Sequence, residues 1–473
     1  MLFLLLAILL LEGFITISIE VLTIRQLLPF FGGSVLITSI IIGVFLLFLA
    51  LGYWRGGSHR HDFFRRLSCN FILSLFWVGI GLSYVFVSSF YFISIYKAGF
   101  SFLISLTCYL LLVLAPIVYW LGQTVPLTTN LFNQAQRVSH ISGRALFLST
   151  LGSFLGALLT SLLLFQYLGV AWTVVINCML LFALITYIRY YNQMSLLPVL
   201  ILLPGLFFIF MLNVSMENAQ FKTTNNYGNY QVIHSTEFNK LLQINLSSSS
   251  LLTAEKKGFP YIEFIRNLLL KELNLQHKRI LVIGAGGFSL TAAGTHSNTI
   301  TYLDIDPAIK ELAEQHFLEQ PINGTFIAQD ARRYLRGSDA SYDVIISDVY
   351  SNQAAIPSSL LTVEYFQAVA EHLTSEGLLI VNIIANPLFH DDYSRTVFNT
   401  IHAVFPYCSL VPLTWENSLV NMMYVCPKIK AKNKIYRDDL TSATTDFFKI
   451  YKPITGLTKK PGNKARRQVG DGV

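Results

Sequence analysis

Residues 279–307 read "RILVIGAGGFSLTAAGTHSNTITYLDIDP", and this stretch decides the fold class. An apolar run, ILVIG, ends in the turn Gly284-Ala285-Gly286-Gly287, and a second run, TITYLDI, carries Asp304 at its end. A turn without side chains lets a ligand approach the backbone at the carboxyl edge of a sheet. The dinucleotide fingerprint requires a further glycine two residues past Gly287, but Ser289 stands there and weakens that reading. Asp304 sits where a carboxylate can accept both hydrogen bonds of a ribose diol, which suits nicotinamide and S-adenosyl ligands equally. The discriminating feature is Asp330-Ala331 after the third apolar run, TFIAQD, where a carboxylate can face an adenine amino group. These positions favour an adenosyl-sulfonium ligand, with a plain structural turn or another nucleotide as the alternatives.

Downstream, YDVIISD and GLLIVNII continue the strands, with amphipathic helical stretches between them. Such alternation predicts a mostly parallel, doubly wound sheet. Two closing strands, CSLVPLTW and NMMYVCP, have no helix between them and predict the antiparallel ending more usual for methyltransferase-like sheets. Asp348 closes the fourth strand, so its carboxylate is expected beside the reactive end of the ligand; the alternative is a helix N-cap. A primary amine has a pKa of roughly 10, so only about one molecule in a thousand is nucleophilic at neutral pH, and a positioned base matters. Upstream, Tyr261 and Glu263 in "FPYIEF" could reach the same crevice, or be surface and packing residues. "NYQVIHS" and "KLLQINLSS" predict a β-hairpin before them.

The first half is different in kind. The chain has 473 residues, 53% hydrophobic and 13% charged, and the apolar excess is concentrated before Asn213. We read seven membrane-length segments: Leu2 to Ile24, Val35 to Trp54, Cys69 to Ser94, Phe100 to Leu121, Ala145 to Phe165, Ala171 to Ile188 and Leu196 to Leu212. The first lacks a basic leader and a cleavage site and reads as a helix rather than a signal peptide. The last carries Pro198 and Pro204 and could be re-entrant. Glu12, Glu20 and Arg25 are costly in lipid and should face the bundle interior, as an internal ion pair or a polar path. The small residues Gly143, Ser149, Gly152, Ser153 and Gly156 suit close helix packing, within the bundle or at a dimer seam.

Arg55, Arg60, Arg65, Arg66, Arg137, Arg144 and Arg189 fall on one side of these segments, against Arg25 and Lys97 on the other, which places the N-terminus inside. Seven crossings would then leave the C-terminal half outside, whereas a cytosolic adenosyl ligand asks for the cytoplasm, and on that ground the catalytic half is expected to be cytoplasmic. The net charge of +7 sits largely beside the membrane and in the basic tail, so nucleic acid is not the expected partner. Cys69, Cys108, Cys178, Cys408 and Cys426 show no CxxC spacing, suggest neither zinc nor a disulfide framework, and are expected to be packing residues.

"RILVIGAGGFSL", "LDIDPAIKELAEQHF", "QDARRYL" and "YDVIISDVYSNQAAIPSSLLTVEYFQAV" resemble the spermidine synthase family of aminopropyltransferases, and the likeness extends back to "NYGNYQVI". "EVLTIRQLLPFFGGSVLITSIIIGVFLLFLALGYWRGG" and "SGRALFLSTLGSFLGALLTSLLL" resemble the transporter-like region of membrane-fused homologues. The resemblance implies four parts: a transmembrane bundle over 1–213, a β-hairpin region over 214–265, a methyltransferase-like Rossmann domain over 266–428 and a basic tail over 429–473. It also implies decarboxylated S-adenosylmethionine as co-substrate, no metal, a small-molecule amine as acceptor, a lipid membrane as surroundings and a possible homodimer. A bacterial inner membrane is the expected address.

By the same resemblance Gly284, Gly286, Gly287, Asp304, Asp330 and Ala331 hold the donor, Asp348 is the base, and Tyr261, Glu263, Tyr350 and Ser351 face the acceptor. Gly287 stands where the family has an acid for the aminopropyl ammonium, Ser351 where it has an acid for the diamine, and Tyr261-Ile262-Glu263 where it has Tyr-His-Glu. Losing two carboxylates removes partners that would offset desolvation of cationic ligands. Three functions follow: aminopropyl transfer; methyl transfer to a small molecule or lipid from intact S-adenosylmethionine; and polyamine transport or sensing with a non-catalytic synthase-like domain.

Overall fold

The structure, a computed structural model, describes residues 2–132, 138–235, 240–350 and 356–429. Six helical stretches are long and apolar enough to cross a membrane: Phe3–Phe31, Val35–Gly57, Phe63–Gly81, Phe102–Thr129, Ser139–Tyr191 and Leu197–Gln220. The fifth is folded in two. Gly169 adopts φ 84°, which breaks the helix, and Thr160 and Asn177 on either side of it both donate to Ser18, at 2.8 and 2.9 Å. Those two residues therefore lie at one depth, so the arms run antiparallel and the stretch makes two crossings.

The directions alternate. Leu10 meets Gly152 and Phe14 meets Gly156, so the first and fifth crossings are parallel. Cys178 donates to the Leu75 carbonyl and Arg189 to Ser68, so the third and sixth are antiparallel. The seventh is a continuous helix despite Pro204, and it runs on to Gln220, seven residues past the expected boundary. Within the third crossing the helix is interrupted after Gly81, and Ser83 caps the next segment by accepting from Phe86 N at 3.2 Å.

The first crossing is the hub of the bundle. A Cβ on Gly152 would lie 2.0 Å from the Leu10 carbonyl oxygen, and one on Gly13 would lie 2.1 Å from that of Ser149. The small-residue stripe is thus used inside the bundle, except Gly143, which has open space around it. Glu12 accepts from Thr16 and Ser149, at 2.8 and 3.4 Å. Arg25 does not pair with the glutamates of its own helix as expected. It donates to the Asn225 carbonyl at 2.5 Å and to Asn229 Oδ1 at 2.7 Å, because it lies a full helical turn or more beyond them, where the next unit packs.

That unit opens with a four-stranded antiparallel sheet, β1 (Thr223–Thr224), β2 (Asn229–His234), β3 (Lys240–Ile244) and β4 (Ser247–Leu252). The stretch expected as one strand of a hairpin splits into β3 and β4 at Asn245, which takes the left-handed conformation. A seven-stranded sheet follows: β5 (Arg279–Ile283), β6 (Thr299–Asp304), β7 (Thr325–Ala328), β8 (Tyr342–Ser347), β9 (Leu373–Ala385), β10 (Ser409–Pro412) and β11 (Val420–Pro427). Its order is β10-β11-β9-β8-β5-β6-β7, with β5 to β9 parallel and β11 antiparallel to both neighbours. This is the predicted methyltransferase-like ending. Ser409 pairs with Val425, so the register carries Cys408 opposite Cys426, and the two form a disulfide. The expectation of packing cysteines is corrected for this pair: their proximity comes from strand register rather than from short-range spacing.

Gly152→Leu should drive a side chain into the Leu10 backbone. Overpacking of this kind costs typically 1–3 kcal/mol. A clearly lower unfolding midpoint in detergent is expected, with Gly143→Leu close to wild type.

Candidate active site

β5 is followed by Gly284, whose φ of 92° suits glycine and whose Cβ, if present, would lie 2.0 Å from the Asp348 carbonyl oxygen. The turn after β5 and the loop after β8 therefore touch, and the space above them is the crevice at the carboxyl edge of the sheet. Asp304 fixes the turn: its Oδ2 accepts from Ala285 N at 2.9 Å and its Oδ1 from Asp306 N at 3.0 Å. A carboxylate has about four lone-pair sites, so acceptor capacity remains for a diol. Burial raises the Asp304 pKa above the usual aspartate value, against the lowering effect of the backbone hydrogen bonds.

Asp306, two residues on, was not foreseen. It is buried, and it accepts from Asn225 Nδ2 at 2.8 Å and from the Tyr230 hydroxyl. Asn225 and Asn229 are the residues that hold Arg25, so the first crossing is joined to the Asp304 loop through two hydrogen-bonded links. Asp330 caps the helix Ala331–Gly337 by accepting from Arg333 N at 2.9 Å, and it faces the crevice with Ala331.

Asp348 is half-buried and receives Asn382 Nδ2 at 2.9 Å, as well as a hydrogen bond from Tyr261. Asn382 in turn accepts from Asn421 Nδ2 at 2.9 Å, which fixes its amide with the NH2 toward the acid. Desolvation raises the Asp348 pKa, with Asn382 and Tyr261 acting in the opposite sense. The Tyr350 hydroxyl donates to the Asn382 carbonyl at 3.0 Å and accepts from Ile384 N at 2.8 Å, so it braces β9 while Tyr350 itself lines the crevice. Asn382 was also missed; its signal is a lone amide inside the apolar run LLIVNII.

Two expected site residues fall elsewhere. Gly287 is not among the lining residues: its N–H is taken by Ser250 Oγ at 2.8 Å, and a Cβ there would lie 2.4 Å from Phe317 Cε1. Glu263 accepts from Gly258 N at 2.8 Å and pairs with Arg266 at 2.7 Å, which braces the loop before its helix instead of reaching the crevice. Ser351 lies outside the described residues.

The crevice encloses about 1070 Å³ and reaches from Asp330, past Gly284 and Asp348, to Leu28 of the first crossing. Among the described lining residues are four acids, Asp304, Asp306, Asp330 and Asp348, and no lysine, arginine or histidine. Such a cavity favours cationic ligands. Among the described residues no group of three or more His, Cys, Asp or Glu could hold a metal ion.

Residues 258–437 match the family described as spermine/spermidine synthase domain. The C-terminal part of this chain carries a spermine/spermidine synthase domain. A polyamine aminopropyltransferase of Vibrio vulnificus is 32% identical over 145 residues, covering 29% of this chain and 48% of that protein. An eEF1A lysine and N-terminal methyltransferase homolog of Drosophila melanogaster is 30% identical over 142 residues, covering 27% of this chain and 20% of that protein. The chain thus spans about half or less of the length of these relatives. A probable spermidine synthase structure from Corynebacterium glutamicum aligns at a TM-score of 0.38 and 19% identity, covering 46% of this chain and 82% of that one.

Because burial raises the Asp348 pKa, the folded synthase domain prefers the protonated acid, and this preference costs stability as pH rises through the raised value. Asp348→Asn should therefore raise the melting temperature at pH 8. The gain should shrink as pH falls toward the ordinary aspartate pKa of about 3.9 and vanish only below it, near about pH 2, where the acid is neutral in both states, as thermal scans across pH would record.

Proposed function

We propose that this protein is a membrane-held aminopropyltransferase that moves an aminopropyl group from decarboxylated S-adenosylmethionine to an amine. The observation that carries the reading is the charge of the crevice: four carboxylates and no cation among the described lining residues, with one half-buried, hydrogen-bonded acid beside the glycine turn. Asp304 would take the ribose diol, Asp330 and Ala331 the adenine edge, and Gly284 and Gly286 would let the adenosyl group approach the backbone. Asp348 would take a proton from the acceptor ammonium. The amine lone pair then forms a C–N bond to the aminopropyl carbon attached to sulfur, the C–S bond breaks, and its electron pair stays on sulfur as neutral methylthioadenosine. The raised pKa suits this task, since it makes Asp348 a stronger base than an ordinary carboxylate.

Intact S-adenosylmethionine carries a carboxylate for which the crevice has no cationic partner among its described lining residues, and this favours the decarboxylated donor. Methyl transfer is the second reading, favoured by the missing acid in the turn, since Gly287 offers nothing that selects for the donor ammonium. Calorimetry with both compounds separates them. The decarboxylated form should bind at least tenfold tighter, and a preference for the intact form would sink the primary reading. Asp348→Asn should lower turnover by about 10²–10⁴-fold, the usual contribution of a positioned base. In the wild type the rate should fall as pH drops through a pKa above the ordinary aspartate range, because protonated Asp348 cannot accept a proton.

We further propose that the synthase domain lies on the membrane face away from the cytoplasm. Seven alternating crossings put it opposite Arg55, Arg60, Arg65, Arg66, Arg144 and Arg189, and short arginine-rich loops favour the cytoplasm. The Cys408–Cys426 disulfide fits an oxidising compartment. The adenosyl donor then has to be supplied to that face. A membrane-impermeant maleimide should label Lys310→Cys in intact cells and Arg60→Cys only after lysis; the reverse pattern would reject this orientation.

A further inference from the structure

We infer that the acceptor is an amphiphilic monoamine, a single amine on an apolar body that reaches the crevice beside the membrane bundle. The inference rests on the aminopropyl-transfer reading and concerns the other half of the same crevice. Asp304, Asp306 and Asp330 follow β6 and β7, whereas Asp348 follows β8. Neighbouring strands are spaced by roughly 4.8 Å, so β6 lies about 10 Å and β7 about 14 Å from β8. The acids of the adenosyl half are therefore far from a second ammonium placed on the β9 and β11 side.

On that side the described lining residues are Asn382, Ile384, Leu413, Thr414, Val420 and Asn421, none of them charged. A diamine would carry two ammonium groups into this half, and Asp348 can answer only one. Burying the other beside Ile384, Leu413 and Val420 leaves a charge without a partner, which is strongly unfavourable. An uncharged, apolar remainder has no such cost.

The walls also say where that remainder comes from. Leu28 lines the crevice and belongs to the first crossing, and Leu246 lines it while packing against the apolar core of the bundle. Between the lining residues Thr414 and Val420, Trp415 and Leu419 are 72% and 58% exposed at the same carboxyl edge of the sheet. The same loop also carries Glu416, Asn417 and Ser418, and its apolar members Trp415 and Leu419, together with the wall shared with a membrane helix, fit a ligand that partitions into lipid.

The test uses the full chain in lipid nanodiscs with decarboxylated S-adenosylmethionine, following methylthioadenosine release. Acceptors are butylamine, octylamine, dodecylamine and 1,4-diaminobutane. Each methylene that becomes buried should raise kcat/KM by roughly fourfold. Octylamine is expected to exceed 1,4-diaminobutane by at least tenfold, and Val420→Asp, which adds a second acid, should shift that ratio toward the diamine by tenfold relative to Val420→Asn. Preference for the diamine, or indifference to chain length, would overturn the inference. Calorimetric competition of the same amines in the presence of methylthioadenosine reads the preference without turnover, and equal or tighter diamine binding there would overturn it too. Failure of every amine to release methylthioadenosine, with no binding of the donor, would instead sink the aminopropyl-transfer reading.

Discussion

The two halves of this protein are joined by a buried arginine. Arg25 sits near the end of the first crossing, is 4% exposed, and finds its partners in Asn225 and Asn229 rather than in solvent. Burying a guanidinium is costly unless hydrogen bonds and opposite charge offset it. Here the asparagines supply the bonds, and the Asp306 and Glu217 carboxyl groups supply the nearby negative potential. Asn225 also donates to Asp306, which holds the loop carrying Asp304. The small β-sheet therefore packs on the bundle in one way, with the ribose side of the crevice over the helix end. A rigid joint of this kind also explains why one cavity can have walls from both halves.

Much of the α/β domain was legible because its signals are local. The runs ILVIG, TITYLDI, TFIAQD and YDVIISD each close on residues that meet the crevice, and the parallel direction of the strands brings Gly284, Asp304 and Asp348 to one edge. The seven apolar segments were legible for a similar reason, since length and hydrophobicity measure themselves against the bilayer. The turn at Gly169, which closes the fifth and sixth crossings into a hairpin, falls between two of the predicted segments.

What sequence reasoning missed depends on contacts between distant residues. Asn382 is one amide in an apolar strand, and nothing in LLIVNII says that Asp348 lies opposite it. Asp306 looks like the ordinary second acid of a DID turn until Asn225 and Tyr230 arrive from another sheet. Glu263 has the right helix and the wrong neighbour: Arg266, three residues on, captures it at one turn's distance. The disulfide could have been read from the two closing strands, because CSLVP and MMYVCP place their cysteines at matching ends of a hairpin. Absence of CxxC spacing was the wrong test for a cross-strand pair.

Gly287 is the departure with the widest consequences. Read as a lost acid, it looks like a site degraded at one position. The packing says otherwise: its α-carbon faces Phe317 and Ser250, and the next residue, Phe288, is buried in the left-handed conformation between Tyr302 and Phe326. An aspartate side chain at 287 would have to displace Phe317, so Gly287→Asp alone cannot rebuild an ammonium site there. The turn and the helix behind it have been repacked together as apolar core, and the surface presented to the donor chain is Gly286 with the hydroxyls of Ser249 and Ser250 beside it. Asp348 is the acid among the described lining residues that follows β8, and on the β9 and β11 side the crevice is walled by Ile384, Leu413 and Val420. Under the proposed aminopropyl transfer, that one carboxylate would serve both attraction and proton transfer, it would answer one positive nitrogen at a time, and selectivity would fall to the apolar walls.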